Sequence, residues 1–171
     1  MPHEVAPPNV KEEDHARDEP VEHVLRLSRM KALSVRPGYE RGYILGADTI
    51  VVLGGRILEK PANAEEAKTM LRSLAGRVHE VYTGLTLIDA RTGSETQGFE
   101  KTLVRIRDME DWEIEAYVAT GEPMDKAGSY GIQGYGAAIV ERVEGCYFNV
   151  VGLPIVRLLH LIRALDGVLG G

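Results

Sequence analysis

The chain has 171 residues, 44% of them hydrophobic and 27% charged, which suits a single domain large enough to bury a core. A net charge of -6, a pI near 5.4 and the lack of any lysine and arginine cluster argue against a nucleic-acid polymer as partner. Cys146 is the one cysteine, so neither an intrachain disulfide nor a cysteine-based metal site can form.

Residues 1–19 are rich in proline and charge and read as a loop or disordered leader. Their first fourteen residues lack the basic and apolar segments of a signal peptide. The apolar stretch near the C-terminus is interrupted by Arg157 and His160, so no bilayer span is expected and a cytoplasmic location is. A helix is expected from about Pro20, with Asp18 as its cap. Val21, Val24, Leu25 and Ala32 fall on one stripe at helical spacing, while Arg26, Arg29 and Lys31 lie off it.

Tyr43–Leu53 follows as a β-branched, apolar strand with one interruption, Gly46-Ala47-Asp48-Thr49. A carboxylate in such a strand must be paired or must face a cleft, because an unpaired buried charge is too costly. Gly54-Gly55 supplies a tight hairpin turn, and the returning strand delivers Lys60-Pro61 near Asp48. An acid and a base gathered by a hairpin suit a site for a metal and phosphates. They suit equally a plain ion pair that pins the hairpin.

Asn63, with Glu66 three residues on, is a capping-box start for a helix whose stripe is Ala67, Met70, Leu71 and Leu74, ended by Gly76. Strands are expected at Glu80–Asp89 and Gly98–Ile106, joined by a turn at Ala90–Gly93. His79, a lone histidine where the first of these begins, reads as structural rather than catalytic. Asp108 is the expected cap of a helix to about Ala119, with Trp112 and Tyr117 as packing residues. Gly121–Gly136 is glycine-dense, a composition that lets backbone approach a ligand closely, though a flexible loop has the same look. Its Gly131-x-x-Gly134-x-Gly136 spacing is neither a Walker loop nor a dinucleotide fingerprint. A strand over Ala137–Val143, a turn at Gly145 and a C-terminal helix ending near Leu165 complete the chain. The alternation of helices and strands, with some antiparallel hairpins, predicts a three-layer α/β fold with a mixed twisted sheet covered by helices on both faces.

Four segments, in order, carry a resemblance. They are Gly46–Pro61 (GADTIVVLGGRILEKP), Leu74–Gly84 (LAGRVHEVYTG), Tyr117–Gly134 (YVATGEPMDKAGSYGIQG) and Glu144–Pro154 (EGCYFNVVGLP). Together they resemble the Maf family of septum-formation-inhibitor-like proteins, which are nucleoside triphosphate pyrophosphatases. The resemblance implies one Maf-like domain over 1–171, with a fold related to that of inosine triphosphate pyrophosphatases and a substrate cleft between two lobes. It also implies hydrolysis of a nucleoside triphosphate to the monophosphate and pyrophosphate, assisted by Mg²⁺ or Mn²⁺.

By family position Asp48 is the proton acceptor that activates water. Lys31 and Lys60 are the cations that face the phosphates, although a solvated lysine near a helix C-terminus is the ordinary alternative for Lys31. Glu12 falls where the family has the glutamate of an Asp-Glu pair that helps hold the metal, a solvated charge being the other reading of it, while Lys11 stands in place of the aspartate. Asp48-Thr49, together with Gln133, resembles the dTTP/UTP type. An amide at 133 can donate to a pyrimidine carbonyl and accept from N3–H. The family's first strand and its Ser-x-Ser-Pro-Arg-Arg segment have no counterpart in this sequence. Loss of that strand and its arginines predicts weak activity and self-association of the chain as it stands. Two other readings follow from the same departure: a catalytically impaired Maf-like protein that binds nucleotide or a division-related partner, and a fragment whose start lies upstream. A homodimer is an expected assembly.

Overall fold

The computed structural model describes residues 3–10 and 19–167. The chain is α/β, with a five-stranded sheet in the order β2-β1-β3-β4-β5. Its strands are β1 (Tyr43–Leu53), β2 (Arg56–Leu58), β3 (Val78–Asp89), β4 (Glu95–Ile106) and β5 (Val140–Glu144). The helices are α1 (Pro20–Val35), α2 (Ala64–Leu74), α3 (Asp111–Ala119), α4 (Tyr147–Val151) and α5 (Ile155–Leu165). Hairpin β1–β2 is antiparallel with Val51 opposite Leu58, and β4–β5 is antiparallel with Leu103 opposite Glu144. The β1–β2 turn is closed by Gly54 and Gly55 at φ 57° and 81°. Positive φ at both central residues matches the right-handed strand twist and favours glycine there.

The chain gathers into two compact units. The first comprises Met1–Asp48, Gly84–Phe99 and Ile155–Gly171; the second comprises Thr49–Thr83 and Glu100–Pro154. In the first unit α1 buries His23, Val24, Leu27, Ser28 and Ala32. The expected stripe therefore holds at Val24 and Ala32, but its edges are Leu27 and Ser28 rather than Val21 and Leu25, which are half-buried. Ser28 can lie on this face because a chain of hydrogen bonds receives it. The amide of Gln97 donates to Thr86 Oγ1, which meets Ser28 Oγ at 2.8 Å, and Ser28 donates to the Leu25 carbonyl. Pattern reading that scores only apolar residues does not see such a face. Ala32 packs with Ile44, Ile88 and Ala90.

In the second unit one core joins Val51 and Leu58 to Ala67, Leu71 and Leu74 of α2, and to Val104, Ile106, Ile114, Tyr117 and Ile139. Helix α2 starts as expected, with the Asn63 side chain accepting from Glu66 N–H. Helix α3 starts later than expected. Its capping box is formed by Glu110 and Glu113, not by Asp108. Trp112 consequently lies in the first turn, 69% exposed, while Tyr117 is buried. Strand β5 also starts later than expected, because Gly134–Ala138 winds into a 3₁₀ turn before it.

Candidate active site

In the first unit, α1 lies against the sheet at two glycines. A Cβ on Gly46 would stand 2.0 Å from the Ser28 carbonyl oxygen, and one on Gly84 would stand 2.4 Å from the Val24 carbonyl oxygen. Neither distance is open to a real side chain, so these two positions set how near the helix backbone comes to β1 and β3. That approach brings Lys31, at the C-terminal part of α1, onto Asp48 of β1. Lys31 Nζ donates to Asp48 Oδ1 at 2.6 Å, with the lysine side chain 20% exposed and the carboxylate 7%. The second carboxylate oxygen, Oδ2, is buried and has no hydrogen-bond partner. A buried charged oxygen without a donor is costly. Asp48 thus holds one oxygen on a cation and keeps the other available to a proton, a water or a hard metal ion.

In the second unit, Thr49 is half-buried and its Oγ1 lies 2.8 Å from Thr83 Oγ1. Thr83, fully buried, donates to the Asn149 carbonyl at 3.0 Å. The Asn149 amide in turn donates to the Val81 carbonyl and to Thr102 Oγ1, each at 3.0 Å. Lys60 follows β2 with an exposed side chain. The Asp125 carboxyl is held below the usual carboxylate range by its hydrogen bond and charge interaction with Lys126 and, to a lesser degree, by the charge of Lys60.

Gln133 is exposed in a loop that Glu122 helps to hold. The Glu122 carboxylate accepts the backbone N–H groups of Tyr135 and Gly136, each at 2.8 Å, and the Tyr117 hydroxyl at 2.8 Å. Tyr117 Oη accepts the Gly131 N–H at 3.1 Å. Burial opposes ionisation of Glu122, but those N–H donors and the hydroxyl outweigh it and lower its pKa. The glycine-dense segment is therefore tied down through Tyr117 and Glu122. His79 is also structural: Nε2 meets Tyr130 Oη at 2.7 Å and the ring is buried. Desolvation lowers its pKa to about 4.

The model for the family described as Maf-like protein matches residues 1–165. This chain belongs to the Maf family. It is similar to the dTTP/UTP pyrophosphatase of Carboxydothermus hydrogenoformans, at 49% identity over 160 residues that cover 94% of this chain and 86% of that protein. It is 46% identical to the dTTP/UTP pyrophosphatase of Dictyoglomus thermophilum over 162 residues, 94% of this chain and 84% of the relative. A third such relative, from Bacillus cytotoxicus, is 45% identical over 97% of this chain and 86% of its own length.

Of the residues singled out in the Maf sequence, Lys31 and Asp48 are brought into direct contact in the first unit. Thr49, Lys60 and Gln133 belong to the second unit. Glu12 lies outside the described residues, as does Asp18. Sequence reasoning missed Gly46 and Gly84, which seat α1 against the sheet, and Thr83 and Asn149, which stand behind Thr49. All four stand inside the resembling segments, but single glycines, threonines and asparagines carry no periodic signal. Among the described residues, no group of three or more His, Cys, Asp or Glu gathers as a ready-made cation site, and no helix is long and apolar enough to cross a membrane.

Proposed function

We propose that this Maf-family chain hydrolyses dTTP and UTP to the nucleoside monophosphate and pyrophosphate. The observation that carries this reading is Asp48, held by Lys31 on Oδ1 with Oδ2 unpartnered, in a chain 49% identical to a dTTP/UTP pyrophosphatase. Asp48 Oδ2 takes a proton from water, whose oxygen bonds to phosphorus as the bridging anhydride P–O bond breaks and pyrophosphate leaves. Lys31 orients the carboxylate through the contact to Oδ1, and with Lys60 it offsets charge on the phosphates. Thr49 and Gln133 read the pyrimidine. A positioned base of this kind contributes about 10²–10⁴-fold.

A divalent cation, Mg²⁺ or Mn²⁺, fits this donor set. Such ions are held in nucleotide sites by one or two carboxylates together with substrate phosphates and water, and the Asp48 carboxylate, whose Oδ2 has no protein donor, would supply negative charge beside the ion while Oδ2 itself serves the water. When bound it supplies charge neutralisation on the triphosphate. Glu12 is the second carboxylate in this reading. A cytoplasmic location and a homodimeric assembly accompany it, to be tested by cell fractionation and by light scattering on an eluting size-exclusion peak.

The deciding experiment is pyrophosphate release from dTTP, UTP, CTP and GTP with each cation, and after chelation. Turnover of dTTP and UTP well above the other two, lost on chelation, is expected. Equal turnover of all four removes the substrate assignment, and no release from any of them removes the enzyme.

A further inference from the structure

The network behind Thr49 has a direction. A threonine hydroxyl has one proton to give and two lone pairs with which to accept. A carbonyl oxygen can only accept, so the 3.0 Å contact from Thr83 Oγ1 to the Asn149 carbonyl uses the Thr83 proton. The 2.8 Å contact between Thr83 Oγ1 and Thr49 Oγ1 then needs its proton from Thr49. The opposite polarity would leave two acceptor oxygens facing each other across 3.0 Å inside a buried site, where such a mismatch is penalised. Asn149 cannot turn to relieve it. Its side-chain amide is committed to the Val81 carbonyl and Thr102 Oγ1, and its residue sits in α4 with no exposed surface. Thr49 therefore has no proton left for a ligand. Its oxygen presents lone pairs only.

We propose that Thr83, backed by the Asn149 carbonyl, is a positioning residue that fixes the Thr49 hydroxyl as a hydrogen-bond acceptor and so selects bases carrying an N3–H. This inference rests on the reading that Thr49 meets the base. Uracil and thymine present acceptor, donor, acceptor along their pairing edge, and an acceptor-only oxygen can serve only the central N3–H. The flanking carbonyls are left to donors such as the Gln133 amide. Cytosine places a lone pair at N3, which meets the Thr49 lone pairs with no proton between them. Gly152, the residue that follows α4 at φ 112°, brings no side chain to this oxygen, where a Cβ would stand 3.6 Å away, so a base edge can approach on that flank.

The test is the ratio of kcat/KM for UTP to that for CTP. In Thr83→Val the shape is kept and the acceptor for the Thr49 proton is lost. The Asn149 carbonyl is not orphaned by this change, since it also accepts the Gly152 N–H at 3.0 Å. Thr49 can then rotate and donate to cytosine N3, and the ratio is expected to fall about three- to tenfold, the worth of one neutral hydrogen bond. Thr83→Ser, which keeps the hydroxyl, is expected to keep the ratio. A folded Thr83→Val with the wild-type ratio overturns the proposal. Thr49→Val distinguishes the two levels: if it also leaves the ratio unchanged, Thr49 does not meet the base and the underlying reading fails as well. Should the valine variant not fold, 3-methyluridine triphosphate tests the wild-type protein directly. It lacks N3–H, so it should be rejected as CTP is, and turnover equal to that of UTP overturns the proposal.

Discussion

Two buried polar pairs, one in each unit, look alike on paper and behave in opposite ways. Lys31 with Asp48, and His79 with Tyr130, each make one short hydrogen bond, and each pair leaves one buried atom without a partner, Asp48 Oδ2 and His79 Nδ1. The first pair is charged, with its lysine one-fifth exposed. The second is sealed: burial lowers the histidine pKa to about 4 and raises that of the tyrosine. An orphaned atom is therefore not in itself the mark of a site. A charged pair whose lysine is one-fifth exposed has the means to meet a ligand, whereas a neutral ring packed edge-on against another, with centroids 5.3 Å apart, is scaffolding.

That contrast can be broken, and the largest effect should come from Asp48→Asn. The amide keeps the shape and removes the base, so pyrophosphate release should fall by about 10²–10⁴-fold while thermal unfolding and nucleotide binding change little. An unfolded variant with high residual specific activity would make Asp48 a structural ion-pair member, on a par with His79. Next, Lys31→Met should leave a buried carboxylate uncompensated and cost about 3–5 kcal/mol in denaturant unfolding. Adding Asp48→Asn should return part of that loss. A double variant no more stable than the single would show that the two charges do not depend on each other.

The histidine side sharpens the same comparison through pH. A histidine whose folded pKa lies below its unfolded value of about 6.5 takes up a proton on unfolding. Its contribution is thus present above the unfolded pKa and is lost as pH falls from about 6.5 toward about 4. The full shift corresponds to about 3 kcal/mol. Urea midpoints followed from pH 7 to pH 4.5 should decline, and His79→Gln should flatten that decline. An unchanged slope in the variant would assign the acid sensitivity elsewhere. The smallest effect is expected from Tyr130→Phe, which removes the partner of Nε2 and should cost about 1–3 kcal/mol, with kcat/KM for dTTP of the folded fraction unaltered. A large kinetic loss there would move the pair from scaffolding to site.

The positions of these pairs were only partly legible in the sequence. Local signals held wherever one residue type does one job: the Pro20 helix start, the Tyr43–Leu53 strand, the Gly54-Gly55 turn and the Asn63 cap. They failed where a distant side chain intervenes. Strand β5 was expected from Ala137, yet Glu122 draws the Tyr135 and Gly136 N–H groups to itself. The backbone is thereby wound before the ladder can begin. Trp112 was expected as a packing residue of its helix, and the cap at Glu110 instead sets it in an exposed first turn. At the candidate site, Asp48 announced itself as an acid in an apolar strand. The partner that holds it, Lys31, was carried by family position alone, since nothing in helical periodicity says which lysine will reach a strand seventeen residues on.

The close approach of α1 to Gly46 and Gly84 has a consequence for how this protein can vary. Gly46 is not among the residues with positive φ, so alanine would be acceptable to the backbone there and is refused by α1 alone: its methyl would lie 2.0 Å from the Ser28 carbonyl oxygen, 2.8 Å from the Ala32 nitrogen and 2.9 Å from the Ala32 Cβ. A library randomised at position 46 and selected for pyrophosphate release should therefore return glycine almost alone. Such a result would score the position beside Asp48 in any tolerance map. Yet the glycine would be there for the helix that carries Lys31, and a designer who moved α1 outward by one methyl radius would find position 46 free to change.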